Sequence, residues 1–372
     1  MQCQRLALAL WCQLMALPAQ GRGTPPLQEL AAGIDALYLS GRGSLPSPLV
    51  ERLESARTEA GEAGEPADVE IAGSRWRLAG HGWGKYRFCL DNVQGRVGLT
   101  DSHHVPTVRI QPRAELVHAI GPADTVQMMT EPFEAALGPL TWSVSRVDVH
   151  SDWQGLSLHR SMSERFVSRA LARTIYEDGT LCTGFTFGVR TGAGIYARLY
   201  DKVAEINLTG NDYWFDVWGE RYDPNRGVHR LEFQWGREAL RSMQLNTPED
   251  VLAATGDLWK YGTSDWLTLR NPTSDETKSR WPIAPEWAEI QRSSLNHDLL
   301  GVARLKEGSR RGALRLLMPL LNGCASSAAV HLGTEGISDT LQALGPELQR
   351  YARASGEDFS ARVDRKRREW SL

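Results

Sequence analysis

Polar and apolar side chains alternate strictly along three stretches in the middle of the chain. Val144-Ser-Arg-Val-Asp-Val-His150 places Arg146, Asp148 and His150 on one face and Val147 and Val149 on the other. Ile195-Tyr-Ala-Arg-Leu-Tyr-Asp-Lys202 does the same with Tyr196, Arg198, Tyr200 and Lys202 against Ile195, Ala197 and Leu199. Arg230-Leu-Glu-Phe-Gln-Trp235 opposes Arg230, Glu232 and Gln234 to Leu231, Phe233 and Trp235. Three strands of one sheet would pack their apolar face on helices. They would gather carboxylates, tyrosines, a histidine and cations on the other face, a surface suited to holding a phosphodiester beside a phenol.

Elsewhere the same rules predict a first strand over Gly33–Leu39 and a helix over Ser47–Ala60, with Pro48 in its first turn. Residues 59–66 read as a loop, Ser74–Leu78, Lys85–Leu90 and Val108–Gln111 as strands, and Gly121–Thr130 as a linker. Apolar positions at Phe166, Val167, Ala170, Leu171, Thr174 and Ile175 predict a helix over Ser163–Tyr176. A strand over Thr183–Val189 and a glycine turn through Gly192 and Gly194 then form a hairpin with the tyrosine strand. Thr247-Pro-Glu-Asp is a helix start, and that helix should reach Tyr261. Leu299–Leu321 and Gly336–Arg353 read as helices, and Arg362–Arg368 as a basic tail on a helix end.

The strand-helix-hairpin-strand order of the second half recurs more weakly in the first. The expected fold class is therefore α/β (α+β), a duplicated antiparallel-sheet sandwich with helices on one face and a mainly helical C-terminal region. The expected organisation is a leader over 1–31, an α/β domain over 32–245 with halves at about 32–130 and 140–245, and a tryptophan-containing region over 246–372.

Composition changes this picture little. With 372 residues, 41% hydrophobic and 23% charged, the chain is an ordinary globular protein. A net charge of −3 excludes a uniformly basic nucleic-acid coat but leaves room for a local basic groove. Five scattered cysteines (Cys3, Cys12, Cys89, Cys182, Cys324), without CxxC spacing, offer neither a disulfide framework nor a zinc site and suit a reducing compartment. Arg5 followed by the apolar run from Leu6 to Ala19 is signal-like, but Gln13 interrupts it and it is too short to span a membrane. A disordered leader or an upstream start is the plainer reading, and a cytoplasmic location is expected.

The order Arg146-x-Asp148, then Arg198-x-Tyr200-x-Lys202 with Glu205 close behind, then Arg230-x-Glu232, resembles the replication initiation factor family. That family takes in rolling-circle plasmid initiators, filamentous-phage replication proteins and relaxases of integrative elements. The resemblance covers roughly residues 32 to 245 and is clearest from 144 to 240. It implies tyrosine-mediated nicking and religation of one DNA strand, initiating rolling-circle replication or transfer of a plasmid, phage or integrative element. The partners implied are an origin or nick site, single-stranded or cruciform, with a host helicase or polymerase and a possible homodimer.

The chemistry asks for the same residue types. A phenol of pKa ~10 needs cations or a metal to become a nucleophile, and the charge gathered at phosphorus needs Arg, Lys or a divalent ion. Tyr200 is the favoured nucleophile, with Tyr196 as the alternative and Lys202 beside them. Asp148 and Glu232, with His150, are the expected ligands of Mg²⁺ or Mn²⁺, and Arg146, Arg198 and Arg230 the expected DNA contacts. His103 and His104 are adjacent, fall on opposite faces of a strand, and are read as loop residues. The plainer alternatives are cross-strand salt bridges for Asp148 and Glu232, ordinary strand tyrosines, and a hydrogen-bonded bystander for His150. As a whole protein, the alternative is a DNA-binding initiator or regulator that does not cut.

Overall fold

The structure, a computed structural model, describes residues 26–190, 194–296, 325–326, 328–355, 359–361 and 363–364. Residues 1–25 of the expected leader, the predicted helix over Leu299–Leu321, part of the glycine turn and nearly all of the basic tail lie outside these residues, whereas the last residues of that leader, from Gln28, already belong to the first strand. No helix among those described is long and apolar enough to cross a membrane.

Mixed α/β architecture is what the alternating stretches build. Strand β1 (Gln28–Arg42) leads into helix α1 (Ser47–Ala63) and strands β2 (Ala67–Ile71), β3 (Ser74–Leu78), β4 (Phe88–Asp91), β5 (Gly95–Leu99) and β6 (Val108–Pro112). Helices α2 (Ala114–Ile120) and α3 (Pro122–Leu137) precede the second long strand, β7 (Thr141–Gln154). The second half continues with β8 (Phe166–Ser168), β9 (Arg173–Asp178), β10 (Leu181–Phe187), β11 (Ile195–Asp201), α4 (Lys202–Thr209), α5 (Tyr213–Trp218) and β12 (Val228–Gly236).

One antiparallel sheet of eleven strands results, in the order β2-β3-β4-β5-β6-β1-β7-β12-β11-β10-β9. The duplication is visible in it. Each long strand pairs with the last strand of its own half, β1 with β6 and β7 with β12, and the two long strands pair with each other from Gln28↔Gln154 to Arg42↔Thr141. The two halves are thus sides of a single sheet.

The apolar face carries the main core. Leu49 and Leu53 of α1 and Met129 and Phe133 of α3 pack there with Leu37, Leu39, Val147, Val149, Leu231 and Phe233. That core does not stop at residue 245. Helices α6 (Arg237–Ser242), α7 (Pro248–Ala253), α8 (Thr255–Tyr261) and α9 (Pro285–Gln291), with the short strand β13 (Leu267–Leu269), bring Trp259, Trp266 and Trp287 into it. The three tryptophans are core residues. Trp259 and Trp266 meet Phe233 edge-on at ring-centroid distances of 5.7 and 6.1 Å.

Three local expectations are corrected. Gly121–Thr130 is no linker but the start of α3, where Thr125, Met129, Thr130 and Phe133 form a buried stripe behind Pro122 in the first turn. Ser163–Tyr176 is not a helix. Phe166 enters β8, pairs with Leu269 and packs against Phe185, Phe187 and Trp287, while Thr174 and Ile175 join β9. Leu171, on the imagined stripe, is fully exposed. Val167, Thr174 and Ile175 are β-branched and favour strands, so a partner strand won over a weak helical period. The helix expected to run from Thr247 to Tyr261 is two helices broken at Ala254, although its capping box between Thr247 and Asp250 is present.

A separate unit begins at residue 303. Its described portion contains helix α10 (Ile337–Ser355), in the place the sequence indicates.

Removing the Trp287 side chain should leave a cavity under β8 and β10. Trp287→Ala should cost about 3–5 kcal/mol of unfolding free energy, which urea denaturation measures; a change under about 1 kcal/mol would contradict its place in the core.

Candidate active site

The polar face of β7, β12 and β11 is a ladder of facing side chains. Asp148 lies opposite Gln234 and Gln234 opposite Tyr196, while His150 faces Glu232 and Glu232 faces Arg198. In the third row Asp152 faces Arg230 and Arg230 faces Tyr200. Every residue singled out from the sequence is therefore on or beside one surface, with unequal environments.

Arg230 is fully buried, which removes it as a DNA contact. Its Nε and Nη2 donate to Asp152 Oδ1 and Oδ2 at 2.6 and 2.8 Å, and its Nη1 donates to Asp35 Oδ1 at 3.1 Å. The guanidinium carbon stacks 3.8 Å from the ring centroid of Trp214 on α5. Burial would raise Asp152, but the Arg230 charge and its hydrogen bonds hold that carboxyl well below the usual carboxylate range. Trp218 Nε1 also donates to Asp152, at 2.8 Å. Helices α4 and α5 thus lie over this end of the polar face, joined by Leu30, Ile206, Trp214, Trp218 and Val228 in a second, smaller core.

Asp148 and Glu232 are each held by an arginine. Arg146 grips Asp148 through both carboxylate oxygens, and Arg198 Nη2 donates to Glu232 Oε1 at 2.6 Å. Burial and the charge of Glu232 push Asp148 up to about 7 despite Arg146. Burial would raise Glu232 as well, but Arg198 and Arg230 bring it below its ordinary value. The remaining oxygen of Glu232 accepts a hydrogen bond from the Tyr200 hydroxyl at 3.3 Å.

Tyr200 is half-buried and Tyr196 is buried at 9% exposure. Arg198 lies 5.0 Å and the Lys202 ammonium 5.9 Å from the Tyr200 ring centroid. Burial and the Glu232 charge raise the Tyr200 phenol well above its ordinary value, against the pull of Arg230 and Arg198. Lys202 is not on the strand. Asp201 ends β11 and caps α4 by accepting from the Ala204 amide at 2.9 Å, so Lys202 opens the helix and pairs with Glu205 at 2.6 Å. Burial and Arg230 lower the Lys202 ammonium.

Sequence reasoning missed two residues. Ile34 pairs with Val149 and Ala36 with Asp148, which leaves Asp35 unpaired in a β-bulge. The bulge aims its carboxylate at Arg230 and at His118 Nε2, 3.3 Å away. His118 comes from α2, which packs beside β1 below the short β1–β6 pairing at Leu39–Gly41. Its ring lies edge-on to Trp214 at 4.4 Å and to His150 at 5.6 Å.

Asp35, His118 and His150 place ligand-type atoms within 4.8 Å of one another. Nδ1 of buried His150 lies 3.5 Å from Asp152 Oδ1, while its Nε2 has no hydrogen-bond partner, a costly state for an imidazole nitrogen with no further role. Burial and the nearby Arg230 charge lower His150, which favours the neutral ring and its free lone pair. Burial would raise Asp35, but Arg230 and His118 take it far below the carboxylate range. One ionised carboxylate with two imidazoles is a donor set for a divalent ion that accepts nitrogen, which fits Mn²⁺ better than Mg²⁺. Of the three ligands expected from the sequence, only His150 lies in this cluster. The other two are occupied by arginines.

His103 and His104 sit in an exposed turn, as read. Cys89 and Cys182 are free and buried; the other three cysteines fall outside the described residues.

No protein-family profile matches the chain, and no curated protein matches it. Among solved structures, a rolling circle replication initiator protein from Geobacillus stearothermophilus aligns over 74% of this chain and 99% of that one. Identity is 14% and the TM-score 0.43, a likeness too slight to carry an argument.

Titration calorimetry with Mn²⁺ checks the cluster. His118→Ala and Asp35→Ala should each weaken binding at least about tenfold, as loss of a ligand does, whereas Asp148→Asn should leave it within about threefold. The opposite order would return the metal to Asp148. Arg230→Met, which strands Asp152 and Asp35 as buried charges, should cost about 3–5 kcal/mol in urea denaturation.

Proposed function

We propose that this protein nicks and religates one strand of DNA through Tyr200, in the initiation of rolling-circle replication or the transfer of a mobile element. The observation that carries this reading is the triad of Tyr200, Glu232 and Arg198 on the same sheet face as the Asp35–His118–His150 cluster. Tyr200 O–H is already directed at an ionised carboxylate, whose other oxygen is held by Arg198 at 2.6 Å. The resemblance of the 144–240 segment to replication initiation factors supports the same conclusion.

In the proposed step the Tyr200 oxygen attacks phosphorus and its proton passes to Glu232 Oε2. The bond from phosphorus to the 3′ oxygen breaks, and that oxygen leaves with the electron pair and takes up a proton from solvent. The products are a 5′-phosphotyrosine and a free 3′ hydroxyl. Religation runs the same step backwards. Arg198 and Arg146, with 28% and 21% of their side chains exposed, offer charge to the phosphate. A divalent ion held by Asp35, His118 and His150 would supply further positive charge to the phosphate oxygens.

Arg230 serves from beneath, holding Asp35 and lowering the phenol through its charge. Tyr196, more deeply buried and opposite Gln234 rather than a carboxylate, lacks a proton acceptor in the register. One observation favours the non-cutting initiator instead, namely the rise of the Tyr200 phenol under burial and the Glu232 charge.

The two readings separate on a denaturing gel. Full-length protein is incubated with Mn²⁺ and labelled single-stranded oligonucleotides tiled across the host genetic element. A covalent protein–DNA band should form, vanish in Tyr200→Phe, persist in Tyr196→Phe and fall by at least about tenfold in Glu232→Gln. Binding without a covalent band across the whole tiling would leave the non-cutting initiator. A band lost only in Tyr196→Phe would move the nucleophile.

A further inference from the structure

The polar face does not end at β1. Ser40 pairs with Arg109, Arg109 with Gly98, Gly98 with Cys89, and Asp91 with both Arg96 and Arg77. By this register Arg77, Asp91, Arg96 and Arg109 lie on the same sheet face as Tyr38, Arg146 and Tyr200. Neither α4 nor α5 reaches so far, since their small core involves only β1 and β12.

A cleft of about 670 Å³ opens there, with Cys89 and Ala79 at its floor and His81, Trp83, Arg77, Arg96 and Arg113 among its walls. It is large enough for a nucleotide. Trp83 and Tyr86 form a tight hairpin, bonded N–H to C=O both ways at 2.9 and 3.1 Å, with Gly84 at φ +61° in the turn. Gly98 lets the Tyr86 ring lie flat on the sheet, because a Cβ there would stand 2.7 Å from Tyr86 Cγ. Trp83 is thereby propped over the strands, partly exposed, with the guanidinium carbons of Arg109 and Arg96 at 4.4 and 5.6 Å from its ring centroid.

Three arginines line the cleft against one carboxylate. Asp91 binds Arg96 at 3.0 Å and Arg113 at 2.7 Å, which orients both side chains at the opening. Arg77 is exposed and has no carboxylate partner among the described residues, and neither has Arg109. An apolar floor, an aromatic wall and unneutralised guanidinium groups match a base with its phosphate better than they match an acidic peptide, which would leave the floor unused.

We propose that this cleft seats one unstacked nucleotide of the DNA strand whose scissile phosphate lies at Tyr200, with the base on Trp83 and its phosphate at Arg77, Arg96 and Arg113. The proposal rests on the nicking reading for its substrate. From β4 to β11 is six strand spacings, ~30 Å along the sheet, so the seat engages the strand several nucleotides away from the cut.

The test uses the full-length protein and fluorescence anisotropy with two labelled mixed-sequence single strands, one of ~30 nucleotides and one of ~4, too short to bridge the ~30 Å between the two places. Trp83→Ala and Arg77→Glu should each weaken binding of the long strand about five- to tenfold, leave the short strand unchanged and still form the covalent band. Arg77 is a surface residue, so its variant decides the matter if Trp83→Ala does not fold. Equal affinities for the long strand in wild type and variants would overturn the seat while leaving nicking intact. Equal losses on both strands would also overturn it, as a general charge effect. Selective loss on the long strand with no covalent band in any variant or wild type would keep the seat and remove the nicking. Wild type that binds neither strand would end both.

Discussion

A guanidinium taken wholly out of water has to be surrounded by partners, and Arg230 is surrounded by the pieces of the site. Both carboxylate oxygens of Asp152, one of Asp35 and the face of Trp214 enclose it. Each partner then fixes something else. Asp35 is turned toward His118, Trp214 packs edge-on against both histidines, and Asp152 anchors Trp218 and so α5. A buried ion pair is a weak source of net stability, because desolvation offsets most of its Coulombic attraction. Its value here is orientation: with Arg230 in place, few arrangements of the neighbouring acids and rings avoid leaving a charge unpaired.

The same charge organises the titration of the surface. It lowers His150 and Lys202, holds Asp35 and Asp152 ionised, and pulls down the Tyr200 phenol against burial. Tyr200, Glu232 and the candidate metal ligands therefore share one electrostatic neighbour, which stands in the ladder itself and is shut off from solvent beneath Trp214. Arg146 and Arg198 are placed differently. They reach the surface while neutralising Asp148 and Glu232, so they can exchange part of that pairing for a phosphate.

How much of this the sequence discloses follows from the two-residue period of a strand. Asp148, His150, Glu232, Arg198 and Tyr200 keep that period, and their common face could be read directly. Asp35 breaks it, because a bulge puts an extra residue into β1, and no count of alternation reveals where a strand slips. His118 stands on a helix of seven residues, too short for a stripe to declare itself. The misread helix at 163–176 has the complementary cause, since two short alternating strands separated by a turn can imitate a helical period. Lys202 shares the period of β11 but falls one residue beyond its end, where the Asp201 cap turns the chain. Burial of Arg230 depends on α5 folding back from twelve or more residues away, which lies beyond any local rule.

The pairing of β1 with β7 along nearly their whole length bears on what the duplication means. Each half completes its own set of strands, yet each leaves one edge of its longest strand to be covered by the other. Such halves are not modules that can be exchanged or lost singly, for either alone would present a long row of unsatisfied backbone groups. A chain built in this manner can let its two sides diverge in chemistry, one gathering acids and histidines, the other arginines and a tryptophan. Neither side is free to diverge in shape. The seam between them is held from one end of β1 to the other, and it runs through the residue that the bulge pushes out of register.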